Sequence, residues 1–93
     1  MKTFTAYRLK IPDGTHSPDQ SNPADQAQYE GVVFDDGKTV IHWLTSVRSV
    51  SVFDCLTDML KIHGHPEYGT VFKWHNGLPE NTAGLKLSGE ILL

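Results

Sequence analysis

The side chains of this 93-residue chain that could carry chemistry are five histidines, one cysteine and a few close carboxylates. His63-Gly64-His65 places two imidazoles in one short span. With His42, or with His75, as a third nitrogen donor they could hold a zinc ion that keeps an open position. No HExxH or paired Cys/His spacing accompanies them. His63 also falls within an apolar helical arc, so its plainer reading is a core-edge histidine bonded to a carbonyl or to solvent. The metal candidates are therefore His42, His63 and His65, and no organic cofactor is expected.

A second constellation is Thr45-Ser46-Val47-Arg48-Ser49-Val50-Ser51. If a helix starts at Ser51, this run precedes its N-terminus, where free N–H groups and the helix dipole favour an anion. Arg48 could then add a bidentate contact to a phosphate or carboxylate, with Ser49 and Ser51 beside it. The alternative is a hydroxyl-rich loop that caps the helix. The two constellations lie at opposite ends of a helix of about 12 residues, roughly 18 Å apart at 1.5 Å per residue, so they do not read as one active site. Asp54 and Asp58 are an i,i+4 pair on the polar helical face and read as solvated surface charges, not as acid–base partners. Asp35 and Asp36 belong to a turn. Cys55 lacks an evident activating base and reads as a packed small side chain. GxSxG and glycine-rich phosphate loops are absent.

The elements that must position these residues follow from periodicity. Thr3 to Ile11 alternates, with Thr5, Tyr7, Leu9 and Ile11 on one face and Ala6, Arg8 and Lys10 on the other, and Pro12-Asp13-Gly14 ends it. Residues 12–28 carry three prolines, three aspartates and three glutamines and read as a mobile polar loop. Tyr29 to Phe34 and Val40 to Leu44 form a hairpin. With Asp36-Gly37 as a two-residue turn, Val33 faces Val40 and Val32 faces Ile41. From Ser51, as N-cap, a helix places Val52, Phe53, Cys55, Leu56, Met59, Leu60 and Ile62 on one arc and Asp54, Thr57, Asp58 and Lys61 on the other. Gly64 supplies a left-handed end and Pro66 prevents continuation. Thr70 to His75 and residues 85–93 read as two further strands. The order β-β-β-α-β-β predicts a single α+β domain over residues 1–93, with two layers: a mainly antiparallel sheet of four to five strands against one helix.

Composition narrows the function classes. The net charge of −3 argues against a dedicated nucleic-acid backbone binder. A lone cysteine forms no internal disulfide, and no segment approaches a signal peptide or a membrane span, so a cytoplasmic protein without a membrane is expected. Trp43 and Trp74 are candidates for an interaction surface if one sheet face stays open, and His42 and Trp43 point to opposite faces of their strand. The closing strand, 85–93, could pair at an edge with a second copy to form a homodimer.

Gly31-Val32, Phe34, Asp36-Gly37, Val40, Trp43-Leu44, Ser49, Phe53-Asp54, Ile62-His63-Gly64-His65, Thr70 and Trp74 together carry a resemblance. The pattern is similar to small uncharacterised proteins of actinobacteria and their bacteriophages, which join a DG…V…W hairpin to an IHGH-like helix end and a closing V.W strand. That family often has arginine where this chain has His42, which puts any shared role for that position in doubt. The resemblance covers residues 31–74 and implies a phage-related or accessory bacterial protein without assigned catalytic residues. The resulting expectation is a non-enzymatic protein, in the host cell cytoplasm if phage-encoded, that binds a macromolecular partner, most simply a protein. The alternatives are an anion- or small-molecule-binding domain using the 45–51 loop, and a histidine-dependent metal hydrolase.

Overall fold

The computed structural model describes residues 1–10, 21–76 and, as backbone, 90–92. Its strands are β1 (Lys2–Arg8), β2 (Tyr29–Val33), β3 (Thr39–Trp43), β4 (Val50–Phe53), β5 (Thr70–Trp74) and β6 (Glu90–Leu92). One helix, α1 (Leu56–His63), and a short 3₁₀ turn, Pro66–Tyr68, join β4 to β5. All neighbouring strands are antiparallel, in the order β4-β3-β2-β1-β5-β6. The expected two-layer α+β class is the one found, with one strand more than the sequence suggested. The closing strand lies where expected at residues 90–92; the rest of 85–93, like Ile11 of the expected first strand and residues 12–20 of the polar loop, falls outside the described residues.

The extra strand is β4, and it corrects the helix start. Ser49-Val50-Ser51-Val52-Phe53 alternates polar and apolar residues, and its valines are β-branched, which suits a pleated surface. Pairing Ile41 with Ser51 and Thr39 with Phe53 satisfies backbone groups on the outer edge of β3 that would otherwise be open. The chain therefore stays extended to Phe53, and Cys55, with φ −153° and ψ 165°, is the residue before the first helical turn.

The hairpin register also differs by one residue: Val32 faces Val40 and Val33 faces Thr39. A two-residue type I′ turn needs positive φ at both central positions. Here Gly37 is left-handed, at φ 96°, and Asp36 is not. The Gly37 N–H donates to the Phe34 carbonyl, the Phe34 N–H donates to the Lys38 carbonyl, and the Lys38 N–H donates to Asp36 Oδ1. The loop is thus the three-residue kind that ends on a left-handed glycine.

One sheet face packs under α1. Phe4 and Ala6 of β1, Tyr29 and Val33 of β2, Ile41 of β3, and Phe72 and Trp74 of β5 meet Met59 of α1 in the core. Phe4 stacks on Phe72 with centroids 4.6 Å apart, and its ring occupies the space a side chain at position 31 would need, which is why Gly31 is there. Leu56 and Leu60 pack against the cluster, but Ile62, assigned to the same arc, is 58% exposed. At the helix end Gly64 is right-handed (φ −69°) and buried; a Cβ there would strike the Leu60 carbonyl. The left-handed residue is His65, at φ 40°.

Residues 21–28 lead into β2 as a laced loop. Asn22 and Gln28 exchange side-chain and backbone bonds, Asn22 also reaches the Ala27 and Leu44 carbonyls, and Gln28 is fully buried.

Candidate functional site

The structure does not bring the three metal candidates together. His42 lies on the sheet face away from the helix, its Nδ1 3.2 Å from Glu30 Oε1. His63, at the end of α1, meets the rings of Trp43 and Phe53 edge-on, on the helix side. His65 stacks on Tyr68 and its Nδ1 lies 2.8 Å from Glu67 Oε1. Among the described residues no group of three His, Cys, Asp or Glu side chains is placed to hold a metal ion. Burial first, then the charge of Arg8 and the neighbouring His65, hold the His63 imidazole below its ordinary pKa.

A residue the sequence hid is Arg8. Alternation put it on a face with Lys10, yet it is only 3% exposed. Its Nη2 donates to the His63 carbonyl at 3.1 Å, and the Tyr29 hydroxyl donates to the same oxygen at 3.0 Å. That carbonyl is at the C-terminal end of α1, where the helix dipole places partial negative charge and welcomes a cation. The guanidinium also lies 5.5–5.8 Å from the ring centres of Tyr29, Trp43 and Tyr68, each of which attracts a cation through its ring face. Burial lowers the Arg8 pKa and raises that of Tyr29. Nε has no hydrogen-bond acceptor. This arrangement clamps the helix end to the sheet.

The anion candidate loses its geometric basis. Because α1 starts at Leu56, Arg48, Ser49 and Ser51 are not at its N-terminus. Arg48 and Ser49 lie in the β3–β4 hairpin, where Arg48 Nε donates to the Thr45 carbonyl at 3.1 Å, and Thr45 Oγ1 donates to the Val47 carbonyl. Ser51, within β4, accepts from Trp43 Nε1 at 3.4 Å. At the true helix start a cleft of about 500 Å³ is lined by Lys2, Val33, Phe34, Cys55, Leu56 and Thr57. The Cys55 thiol is free and half-buried, and among the described residues no histidine lines the cleft with it.

Trp43 and Trp74 both lie on the helix side of the sheet. Trp74 is 8% exposed within the core, and Trp43 is half-buried against Tyr29 and His63. The register shows what the opposite face presents instead. Val52, Val40, Val32 and Thr3 form one cross-strand row; Val50, His42, Glu30, Thr5 and Lys73 form the next. Beyond β5, His75 Nδ1 lies 3.0 Å from Thr3 Oγ1 and its Nε2 lies 2.6 Å from Thr5 Oγ1. This face is apolar toward β4; toward β5 it mixes Thr3, Thr5 and Lys73 with Tyr7 and the buried Val71. Val50 and Val52 are 61% and 60% exposed, and Val47 beside them is equally open. The sequence signal for this surface was the alternation of residues 49–52, which a helical arc starting at Val52 had masked.

No helix among the described residues is long and apolar enough to cross a membrane. No curated protein and no solved structure matches the chain. The model of a phage protein family matches residues 29–76, which run from the first residue of β2 to just past β5 and take in the valine rows of β2 to β4, the helix and its His63-Gly64-His65 end. With that match over more than half of its length, the chain belongs to the Acb5 phage protein family.

Proposed function

We propose that this protein is a non-enzymatic phage accessory protein that binds a protein partner through the open face of its sheet. The observation that carries the reading is the row Val52–Val40–Val32 with Val50 beside it, left uncovered by the helix. Valine side chains on a solvent face gain nothing from water, and covering what they still expose is favourable by about 25 cal/mol per Å² of apolar surface, offset by the cost of association. Around them His42, Glu30 and Thr5 supply a polar rim, the arrangement of an apolar centre with hydrogen-bonding surroundings that protein interfaces use. The histidines are spread over both faces of the sheet, and that dispersal favours binding over a histidine-centred hydrolysis.

The test is capture from phage-infected host cells with the wild-type protein and with Val40→Lys and Val52→Lys variants whose circular dichroism matches wild type. A protein retained by wild type, lost with both variants and bound again as a purified component supports the reading. Retention that is indifferent to both lysines, or the absence of any protein that binds in purified form, overturns it.

A further inference from the structure

β4 is the outermost strand on its side of the sheet, and the direction of its backbone groups can be read residue by residue. The Trp43 N–H donates to the Ser49 carbonyl at 2.9 Å, and in the same register Ile41 faces Ser51 and Thr39 faces Phe53. In an antiparallel ladder, pairs that exchange hydrogen bonds alternate with pairs that do not. Ser49, Ser51 and Phe53 therefore turn their N–H and C=O toward β3, while Val50 and Val52 turn theirs outward. β4 is short, but within residues 50–53 neither a proline nor a charge guards the edge.

We propose that this edge pairs with β4 of a second copy of the chain, antiparallel, about a two-fold axis through Ser51. Residues opposite each other in a sheet point to the same face, so the valines must meet valines. With Ser51 opposite Ser51, Val50 falls opposite Val52 of the second copy, and both residues are the ones whose backbone groups are free to bond outward. Two residues further out, just beyond the ends of β4, the same register sets Arg48 opposite Asp54 of the second copy, on both sides of the axis. Both residues are exposed. Among the described residues Asp54 has a loose contact, 3.7 Å to Lys38, and its side chain is 92% exposed, so its carboxylate remains open to a second cation. Sliding the register by two residues either way brings a charged residue opposite a valine and loses the ion pairs. Valine rows, backbone direction and charge thus agree on one arrangement.

The axis is perpendicular to the sheet, so the two helices lie on one side and the two open faces on the other. The valine rows of the copies then join across the seam into one apolar strip. This goes beyond the partner-binding reading and does not depend on it, since a monomer could still present its own valines.

The strand pair is small, so the copies should exchange between monomer and dimer in the micromolar range. Sedimentation equilibrium from micromolar to near-millimolar concentration reads this directly. Arg48→Glu and Asp54→Arg should each weaken self-association by about tenfold, because each sets like charges opposite one another twice per dimer, and the double reversal should restore it to within about threefold. A second measurement survives any misfolded charge variant. In a Cys55→Ser background, Ser51→Cys should oxidise to an intermolecular disulfide, since an unbonded antiparallel pair holds its Cα atoms about 4.5 Å apart. Ser49→Cys, opposite Phe53 of the second copy, should not. A chain that stays monomeric throughout, a dimer indifferent to both single reversals, or a Ser49→Cys cross-link as efficient as that of Ser51→Cys overturns the proposal.

Discussion

Arg8 shows how a single side chain can decide where a helix ends in space. It joins the last carbonyl of α1 to three aromatic rings, while the Tyr29 hydroxyl donates to the same oxygen. Truncation to alanine removes both the aliphatic stem that packs on those rings and the charge that offsets the helix end. Arg8→Ala should therefore destabilise the protein by about 2–4 kcal/mol in urea unfolding. Arg8→Met keeps the stem and removes a cation that burial disfavours, so its loss should be about half as large. Equal losses for the two variants would show that charge, and not packing, holds the clamp. This role was illegible in the sequence, because an arginine in an alternating strand reads as a solvent-facing residue, and only the position of the helix end makes the buried face tolerable for it.

At the scale of elements, the β2–β3 hairpin depends on one glycine. Gly37 has φ 96° and nothing within 4 Å of where a Cβ would be, so any penalty for a side chain there is conformational and not steric. Gly37→Ala should cost about 1–2 kcal/mol by thermal or urea melting, and Gly37→Asn distinctly less, since asparagine visits left-handed backbone more readily. The existence of the hairpin, of the helix and of a strand after it was legible from periodicity and turn chemistry, whereas the left-handed residue past the helix is His65 and not Gly64. Asp36-Gly37 was correctly placed within the turn, but the turn has three residues, 35–37, because only Gly37 is left-handed. Residues 50–53 were misread because Val52 and Phe53 fit the helical arc as well as they fit alternation; the unpaired edge of β3 resolved the tie, and nothing local could. With the helix start moved to Leu56, the Arg48 hydroxyl loop lost its anion geometry. His63 was placed correctly beside the core, since its phase within the helix does not depend on where the helix starts.

At the scale of the molecule, acid sensitivity should appear in two stages. The folded His63 titrates below its ordinary value of 6.5, so between the two values the unfolded chain binds a proton that the folded chain refuses. Stability from this source is present above pH 6.5 and falls as the pH drops through the folded value. Glu67, bonded to His65, and Asp35, bonded to the N-terminal ammonium, have lowered carboxyl pKa values. Their stabilisation is present above the unfolded carboxylate values and is lost only further down in pH. Urea midpoints measured across this range should decline first just below pH 6.5 and again in the carboxylate range, and His63→Gln should remove the first decline while leaving the second. The sheet order has a further consequence, for the time course of folding. β1, first in the chain, is central in the sheet, and β1 to β4 pair in sequence order as a meander. The second edge of β1 is closed only by β5, which meets it from about 70 residues away, as in Phe4 with Trp74. A chain growing from the ribosome can zip its first four strands early, yet it must carry the open side of β1 until residue 74 has emerged. Long-range closures of this kind are slow relative to local ones. For this protein the interval of greatest exposure to misassociation runs from the emergence of β1 to that of β5, and the strand at risk is β1.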